Sequence, residues 1–295
     1  MRVLVTGGGG FIGSHVVDRL LAGGITPRVF DLSASPYHSP LEVETFTGSI
    51  TDPANLDLAM RDCDAVIHLA AVADVGHVHA DPVLAEEVNT RGTLNVLEAA
   101  CRAKVDRVVY GSTTWVYSDC VEQEVDEETP IPAPRHLYTA TKLAGETYCA
   151  GYAELFDLES TVLRFGIPYG PRARAAGVVA KFTDLAFEGK ALTIAGDGSQ
   201  TRSFIYVEDL ADGILIPLAV ACDPSEGVDA AQTDLQLITP KMLNGAREPF
   251  RDLPLLQHLH VLPGKVEAGQ QGPSAQDLCC RFEDLRFDLD LILHP

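Results

Sequence analysis

Positive charge is scarce in this chain: 22 Lys and Arg stand against 42 Asp and Glu, for a formal net charge of −20. Polyanions and anionic bilayers are gripped mainly by clustered cations, so the composition argues against nucleic acid and membrane surfaces as partners. Long apolar runs are missing as well. No stretch approaches the ~20 apolar residues of a spanning helix. The opening MRVLVTGGGG has no apolar stretch followed by a small-residue cleavage site, so the expectation is a cytoplasmic protein. The seven cysteines (Cys63, Cys101, Cys120, Cys149, Cys222, Cys279 and Cys280) are odd in number and form no C-x-x-C pair, which leaves no pattern for a disulfide framework or a zinc cluster. His77-x-His79 and His258-x-His260 have no third ligand at a recognisable spacing, so no metal site is expected. What remains is an ordinary globular composition, 46% hydrophobic, with material for a sizeable core.

Over residues 1–165, short β-branched runs alternate with longer segments of helical period. The pattern predicts strands at Val3–Thr6, Arg28–Asp31, Val43–Thr47, Ala65–Leu69, Arg107–Ser112 and Ser160–Phe165, and helices at Phe11–Ala22, Ala54–Arg61, Val83–Ala103 and His136–Phe156. Two of these helices open on Asp-Pro, where the carboxylate caps a free N–H and Pro lacks the one that would be orphaned. Strand and helix in strict alternation imply an α/β fold, a doubly wound parallel sheet with helices on both faces. Beyond it the pattern predicts a helix at Val178–Glu188, strands at Leu192–Ile194 and Ser203–Val207, and a helix at Glu208–Ala221. After Asp223 the periodicity fades and no element is assigned.

Three features carry chemistry. The first is Gly7-x-x-Gly10-x-x-Gly13 between a strand and a helix. Glycines let the backbone approach a pyrophosphate, and the free N–H groups and positive dipole end of the helix then face it. The second is Asp31 at the end of the next strand, about 20 residues on, where a carboxylate accepts from both hydroxyls of an adenosine ribose and repels a 2′-phosphate. NAD is therefore favoured over NADP. The third is Ser112-Thr113 at a strand end, followed by Tyr138-x-x-x-Lys142 on one face of a helix. A phenol titrates near pH ~10. An adjacent ammonium and a cationic nicotinamide are expected to lower that value, so that Tyr138 exchanges a proton with a substrate oxygen that Thr113 also holds.

These pieces, in order with VIHLAA (Val66–Ala71), DPVLAEEVNTRGTLNVLEAA (Asp81–Ala100), GSTTWVYS (Gly111–Ser118), YTATKLAGE (Tyr138–Glu146), LRFGIPYGPR (Leu163–Arg172) and GDGSQTRSFIYVEDLADGI (Gly196–Ile214), resemble the extended short-chain dehydrogenases/reductases, specifically the NAD-dependent epimerase/dehydratase family. The resemblance covers residues 1–222. It implies a Rossmann-type domain over 1–165, to which 204–222 returns, and a smaller C-terminal substrate-binding region over 166–203 and 223–295. It implies that Gly7, Gly10, Phe11, Ile12 and Gly13 hold the NAD pyrophosphate and Asp31 the ribose. Ser49 and Ile50 would lie by the adenine, and Leu69, Ala70, Ala71 and Asn89 by the nicotinamide ribose. Ser112, Tyr138, Lys142, Phe165 and Pro168 would complete the cofactor site. Thr113, Tyr138 and Lys142 would be catalytic, and Thr113, Thr114, Tyr138, Ile167 and Arg202 would meet the substrate, with Arg202 on its diphosphate.

The chain also departs from the family pattern. Ser49 and Ser203 stand where members often have Asp, and Ile167 where epimerases commonly present Asn. The later diphosphate-binding Arg has no clear counterpart; Lys265, Arg281 and Arg286 are candidates. Dehydratases typically carry Asp-Glu after the strand-end Thr, whereas this chain has Thr114-Trp115, which argues against water elimination. Trp115 reads equally as a wall of the sugar pocket or as apolar filler, and His68 as a packed, hydrogen-bonded histidine. The resemblance thus implies a nucleotide-sugar 4-epimerase, most simply of a UDP-sugar. A net dehydrogenase, a dehydratase and a cofactor-binding regulatory protein are the alternatives. Two helices carry small residues (Gly92 and Ala99; Ala140, Ala144 and Gly151) that permit close packing, and the resemblance implies that such helices pair across a two-fold axis in a homodimer.

Overall fold

The computed structural model describes residues 1–120, 125–194, 202–220 and 234–238. Its centre is β1 (Arg2–Thr6), whose Val3, Leu4 and Val5 are fully buried, as both faces of a central parallel strand must be. Around it β2 (Thr26–Asp31), β3 (Glu44–Thr47), β4 (Ala65–His68), β5 (Arg107–Thr113), β6 (Glu159–Phe165) and β9 (Asp234–Ile238) form one parallel sheet in the order β3-β2-β1-β4-β5-β6-β9. The order reverses between β1 and β4, and in such sheets ligands bind at the carboxyl ends of the strands beside that reversal. A second, two-stranded parallel sheet pairs β7 (Ile167–Tyr169) with β8 (Phe204–Tyr206).

Helices cover both faces. On one, α1 (Phe11–Ala22) and α8 (Val207–Val220) bury Val16, Val17, Leu20, Leu210, Ile214 and Leu218 against the sheet. Arg19 pins the pair by bonding Asp212 at 2.8 Å and Glu208 at 2.9 Å. On the other, α2 (Pro53–Met60), α5 (Gly92–Ala103) and α6 (Leu137–Phe156) enclose Leu56, Met60, Val96, Leu97, Tyr110 and Cys149. The Asp-Pro starts behave as capping physics requires: Asp52 accepts from Ala54 N at 3.0 Å, and Asp81 from Leu84 N at 3.0 Å.

The structure corrects several expectations drawn from the sequence. Helix 83–103 is not continuous: α4 (Pro82–Glu86) passes through a π-turn (Glu87–Arg91) into α5, and a short α3 (Val75–Ala80) precedes it. The π-turn leaves the apolar period of α5 intact, so periodicity alone does not reveal it. Leu192–Ile194 forms no strand; Leu192 and Ile194 are both exposed, leaving no face to bury. β9 joins the main sheet from within the 223–295 segment, where the sequence offers no element. Gly92 and Ala99 are buried inside the chain, so they are not part of a surface stripe. Among the described residues the last helices are α7 (Val178–Phe187) and α8, and no helix is long and apolar enough to cross a membrane.

Candidate active site

The glycine turn lies at the carboxyl end of β1. Gly7 has φ +73°, and a Cβ there would stand 2.8 Å from Ala70 N; one on Gly13 would stand 2.2 Å from Gly7 O. Both glycines are therefore compelled by the closeness of strand, turn and helix. α1 then begins at Gly10 with no side-chain cap and no acid in its first turn. Its leading N–H donors, those of Phe11, Ile12 and Gly13, are left to an external acceptor. A pyrophosphate suits that place. Asp31, at the end of β2, accepts from Gly9 N at 2.9 Å and from Leu32 N at 2.7 Å. Two backbone donors fix the carboxylate beside the turn, and its remaining lone pairs are available to ribose hydroxyls.

The catalytic candidates meet one strand further on. Lys142 is buried in α6 and its Nζ donates to Gly111 O of β5 at 2.8 Å, with the ammonium 5.0 Å above the Tyr110 ring. That bond holds the first turns of α6 against the end of β5, where Thr113 sits. Thr113 Oγ1 accepts from Trp115 N at 3.2 Å, capping a 3-10 turn (Thr114–Tyr117), and keeps its own proton to donate. Burial lowers Lys142 to about 8, against the opposing charge of Glu146. Burial raises the Tyr138 phenol to about 12. The lowering expected from the neighbouring ammonium is absent: burial alone sets the direction, with Lys142 Nζ turned to the Gly111 carbonyl, and the effect expected of a cationic nicotinamide belongs to the cofactor-bound enzyme.

Several residues act from behind. Ser112 is buried and donates to Glu146, so its hydroxyl is committed within the protein. Glu146 also takes Arg164 Nη2 at 2.5 Å and Nε at 3.0 Å, and Arg164 donates on to the Tyr117 hydroxyl. Both residues lie inside matched motifs, Glu146 at the end of YTATKLAGE and Arg164 in LRFGIPYGPR, but the sequence does not show that they pair; the one further signal is that Glu146 lies one turn beyond Lys142 on the same helical face. Asn89, inside the π-turn, accepts from Val72 N at 2.7 Å and donates to Val72 O at 3.0 Å. It thus holds the loop that carries Leu69, Ala70 and Ala71.

The other predicted residues are placed as follows. Leu69 N bonds Thr6 O at 3.1 Å, next to the glycine turn. Ser49 bonds Thr51 at 2.8 Å, and Ile50 is buried against Gly92. Phe165 ends β6, while Ile167 and Pro168 lie in β7. Arg202 is exposed just before β8. Trp115 is half-buried and its ring stands 6.2 Å from that of His136. His68 is packed and hydrogen-bonded, to Thr6 and Thr93. His77 and His79 occupy the last turn of α3. His258, His260, Lys265, Cys279, Cys280, Arg281 and Arg286 lie outside the described residues.

A family model described as "NAD dependent epimerase/dehydratase family" matches residues 3–226. The chain belongs to that family. It is accordingly an NAD-dependent enzyme, and the uncapped glycine turn with Asp31 is the place the cofactor fits. Among its relatives, UDP-glucose 4-epimerase of Mycolicibacterium smegmatis is 37% identical over 227 residues, 73% of this chain and 72% of that one. UDP-N-acetyl-alpha-D-glucosaminuronate decarboxylase of Bacillus cytotoxicus is 34% identical over 226 residues, 72% of this chain and 70% of that one. The crystal structure of Thermus thermophilus UDP-glucose 4-epimerase in complex with NAD superposes with a TM-score of 0.70 at 33% identity, covering 84% of this chain and 83% of that chain.

Proposed function

We propose that this enzyme is a 4-epimerase of a nucleoside-diphosphate sugar, with a UDP-sugar as substrate. The observation that supports it most is the Lys142 Nζ to Gly111 O bond, which joins the Tyr138 turn of α6 to the Thr113 end of β5 beside the glycine turn. Bound NAD supplies a hydride acceptor and donor at the sugar C4. Thr113 donates to the C4 oxygen and orients it. Tyr138, ionised to the phenolate by the charge of the bound cofactor, would take the proton of that hydroxyl and return it to the 4-keto sugar after the ring has turned over. Lys142 holds the nicotinamide ribose and keeps positive charge at the site. With Thr114 and Trp115 after Thr113, no carboxylate stands there to eliminate water. Arg202 meets the substrate diphosphate, residues 1–165 with 204–222 and β9 hold the cofactor, and 166–203 with the remainder of 223–295 hold the sugar nucleotide, in a cytoplasmic homodimer paired through α6. On that helix Ala140, Ala144 and Gly151 are half-buried, and a Cβ on Gly151 would meet nothing within 4 Å.

The reading is tested by incubating the NAD-loaded enzyme with UDP-hexoses and UDP-hexuronates and resolving products by proton NMR while NADH is followed by absorbance. Interconversion of C4 epimers with no net NADH is the expected result. Stoichiometric NADH, a released keto-deoxy sugar or carbon dioxide would each refute epimerisation. A strict monomer in sedimentation would refute the dimer.

A further inference from the structure

His68 is a buried histidine that the reaction does not use, and the hydrogen bonds on its two sides run in one direction. Thr93 Oγ1 donates to Asn89 O at 2.6 Å. A threonine hydroxyl has one proton, so toward His68 Nε2, 3.0 Å away, it can only accept. Donor counting therefore assigns the hydrogen to Nε2. The ring is almost fully buried, and burial together with the Lys142 charge holds its pKa near 3, so the imidazole is neutral and Nδ1 is an acceptor. Thr6 Oγ1, 2.7 Å from Nδ1, is then the donor, and it accepts in turn from Ala70 N at 3.3 Å.

Both ends of this run reach the site. Thr6 precedes Gly7, and Ala70 lies against it. At the other end, Asn89 pairs with both backbone groups of Val72, and its Nδ2 also donates to Thr141 Oγ1 at 3.1 Å. Thr141 Oγ1 donates to the carbonyl of Tyr138 at 2.8 Å. The Tyr110 ring, centred 5.6 Å from that of His68, packs on the imidazole and carries Lys142 on its own face.

We propose that His68, fixed as the neutral Nε2–H tautomer, is a positioning residue that ties the cofactor turn at Gly7 and the loop after β4 to the helix bearing Tyr138. Only imidazole offers an acceptor to Thr6 and a donor to Thr93 from one rigid ring. An asparagine amide reaches the first partner and a glutamine amide the second.

The proposal rests on the NAD reading for what is positioned, and its test begins without any substrate. In the full chain labelled with nitrogen-15 in its histidine rings, the resonance lost in His68→Gln and shifted in Thr93→Val is expected to be a neutral Nε2–H imidazole that does not titrate between about pH 5 and 8. An Nδ1–H tautomer, or a ring that titrates in that range, overturns the assignment. NAD affinity by fluorescence and steady-state kinetics then follow for His68→Gln, His68→Asn and Thr93→Val. The expected losses are ~10- to 100-fold in kcat, with the sugar KM within about threefold and the His68→Gln/Thr93→Val double variant no worse than the poorer single one. If folded variants keep kcat and NAD affinity within about twofold, the positioning role is wrong. If the wild type turns over no sugar, the epimerase reading fails, while the tautomer and NAD affinity still decide this one.

Discussion

At the scale of single residues, the two catalytic candidates on α6 divide their labour by burial. Tyr138, raised to about 12, is a phenol and not a base at neutral pH in the cofactor-free chain. Ultraviolet difference titration of wild type against Tyr138→Phe should show no phenolate from this residue below about pH 10, and NAD should bring that signal to lower pH. An unmoved titration on adding NAD would show that the cofactor's charge does not activate the phenol. Tyr138→Phe should keep NAD and lose roughly 10²- to 10⁴-fold in turnover, since it removes the group that moves the proton. Lys142, lowered to about 8, is charged below that value and loses charge above it. Activity that depends on the ammonium should therefore fall as pH rises through about 8, with NAD affinity falling alongside it. An affinity flat to about pH 10, the ordinary lysine range, would show that the charge is not used. The residue types and spacings of Gly7, Asp31, Thr113, Tyr138 and Lys142 were readable from the sequence because the chemistry demands them. The direction of the Tyr138 shift was not, because it follows from burial of the phenol, which is set by packing between elements far apart in the chain.

At the scale of elements, α6 is held by a close fit at Gly145 and a charge pair at the next residue, Glu146. A Cβ on Gly145 would stand 2.3 Å from the Tyr110 hydroxyl oxygen. Gly145→Ala should lose about 1–3 kcal/mol by overpacking, despite the ~1 kcal/mol that alanine otherwise gains in a helix. Chemical denaturation measures the balance, and a stabilised variant would mean that Tyr110 yields easily. Alongside it, Glu146 and Arg164 are 10% and 5% exposed. Glu146→Gln leaves the Arg164 guanidinium buried without its counter-charge and should cost roughly 3–5 kcal/mol. Apart from the helix expected over 83–103, the strands and helices predicted in the first 165 residues were legible within a residue or two, since alternation of β-branched runs with helical period is a strong signal. Those missed were α3, the strand β7 just beyond residue 165, and the π-turn. The first two are too short to show a period, and the third hides within one. Yet the π-turn holds Asn89, whose side chain fixes the loop after β4.

At the scale of the whole molecule, a chain of net charge −20 binds an anionic cofactor, so long-range attraction is not what draws the ligand in. On the proposed reading, local donors hold it: the N–H groups at the start of α1, and Lys142. Association should then quicken with ionic strength, because salt screens the repulsion over a Debye length that shrinks to ~8 Å at 0.15 M. Stopped-flow fluorescence of NADH binding at several salt concentrations measures this, and a rate that falls with salt would show a basic approach path. The acidic composition was plain from the sequence, whereas the place of the tail in the sheet was not. β9 carries no signal that separates it from its Pro- and Gln-rich surroundings, and only its partner β6 reveals it. The pairing also orders events during synthesis. β5 and β6 bear the strand end of the catalytic site, yet the outer edge of β6 has no neighbour until the chain has grown past Ile238. Until then it is an open row of backbone donors and acceptors, a template for other chains. A nascent or clipped chain ending before Asp234 would hold every catalytic candidate and still be prone to aggregate through that edge.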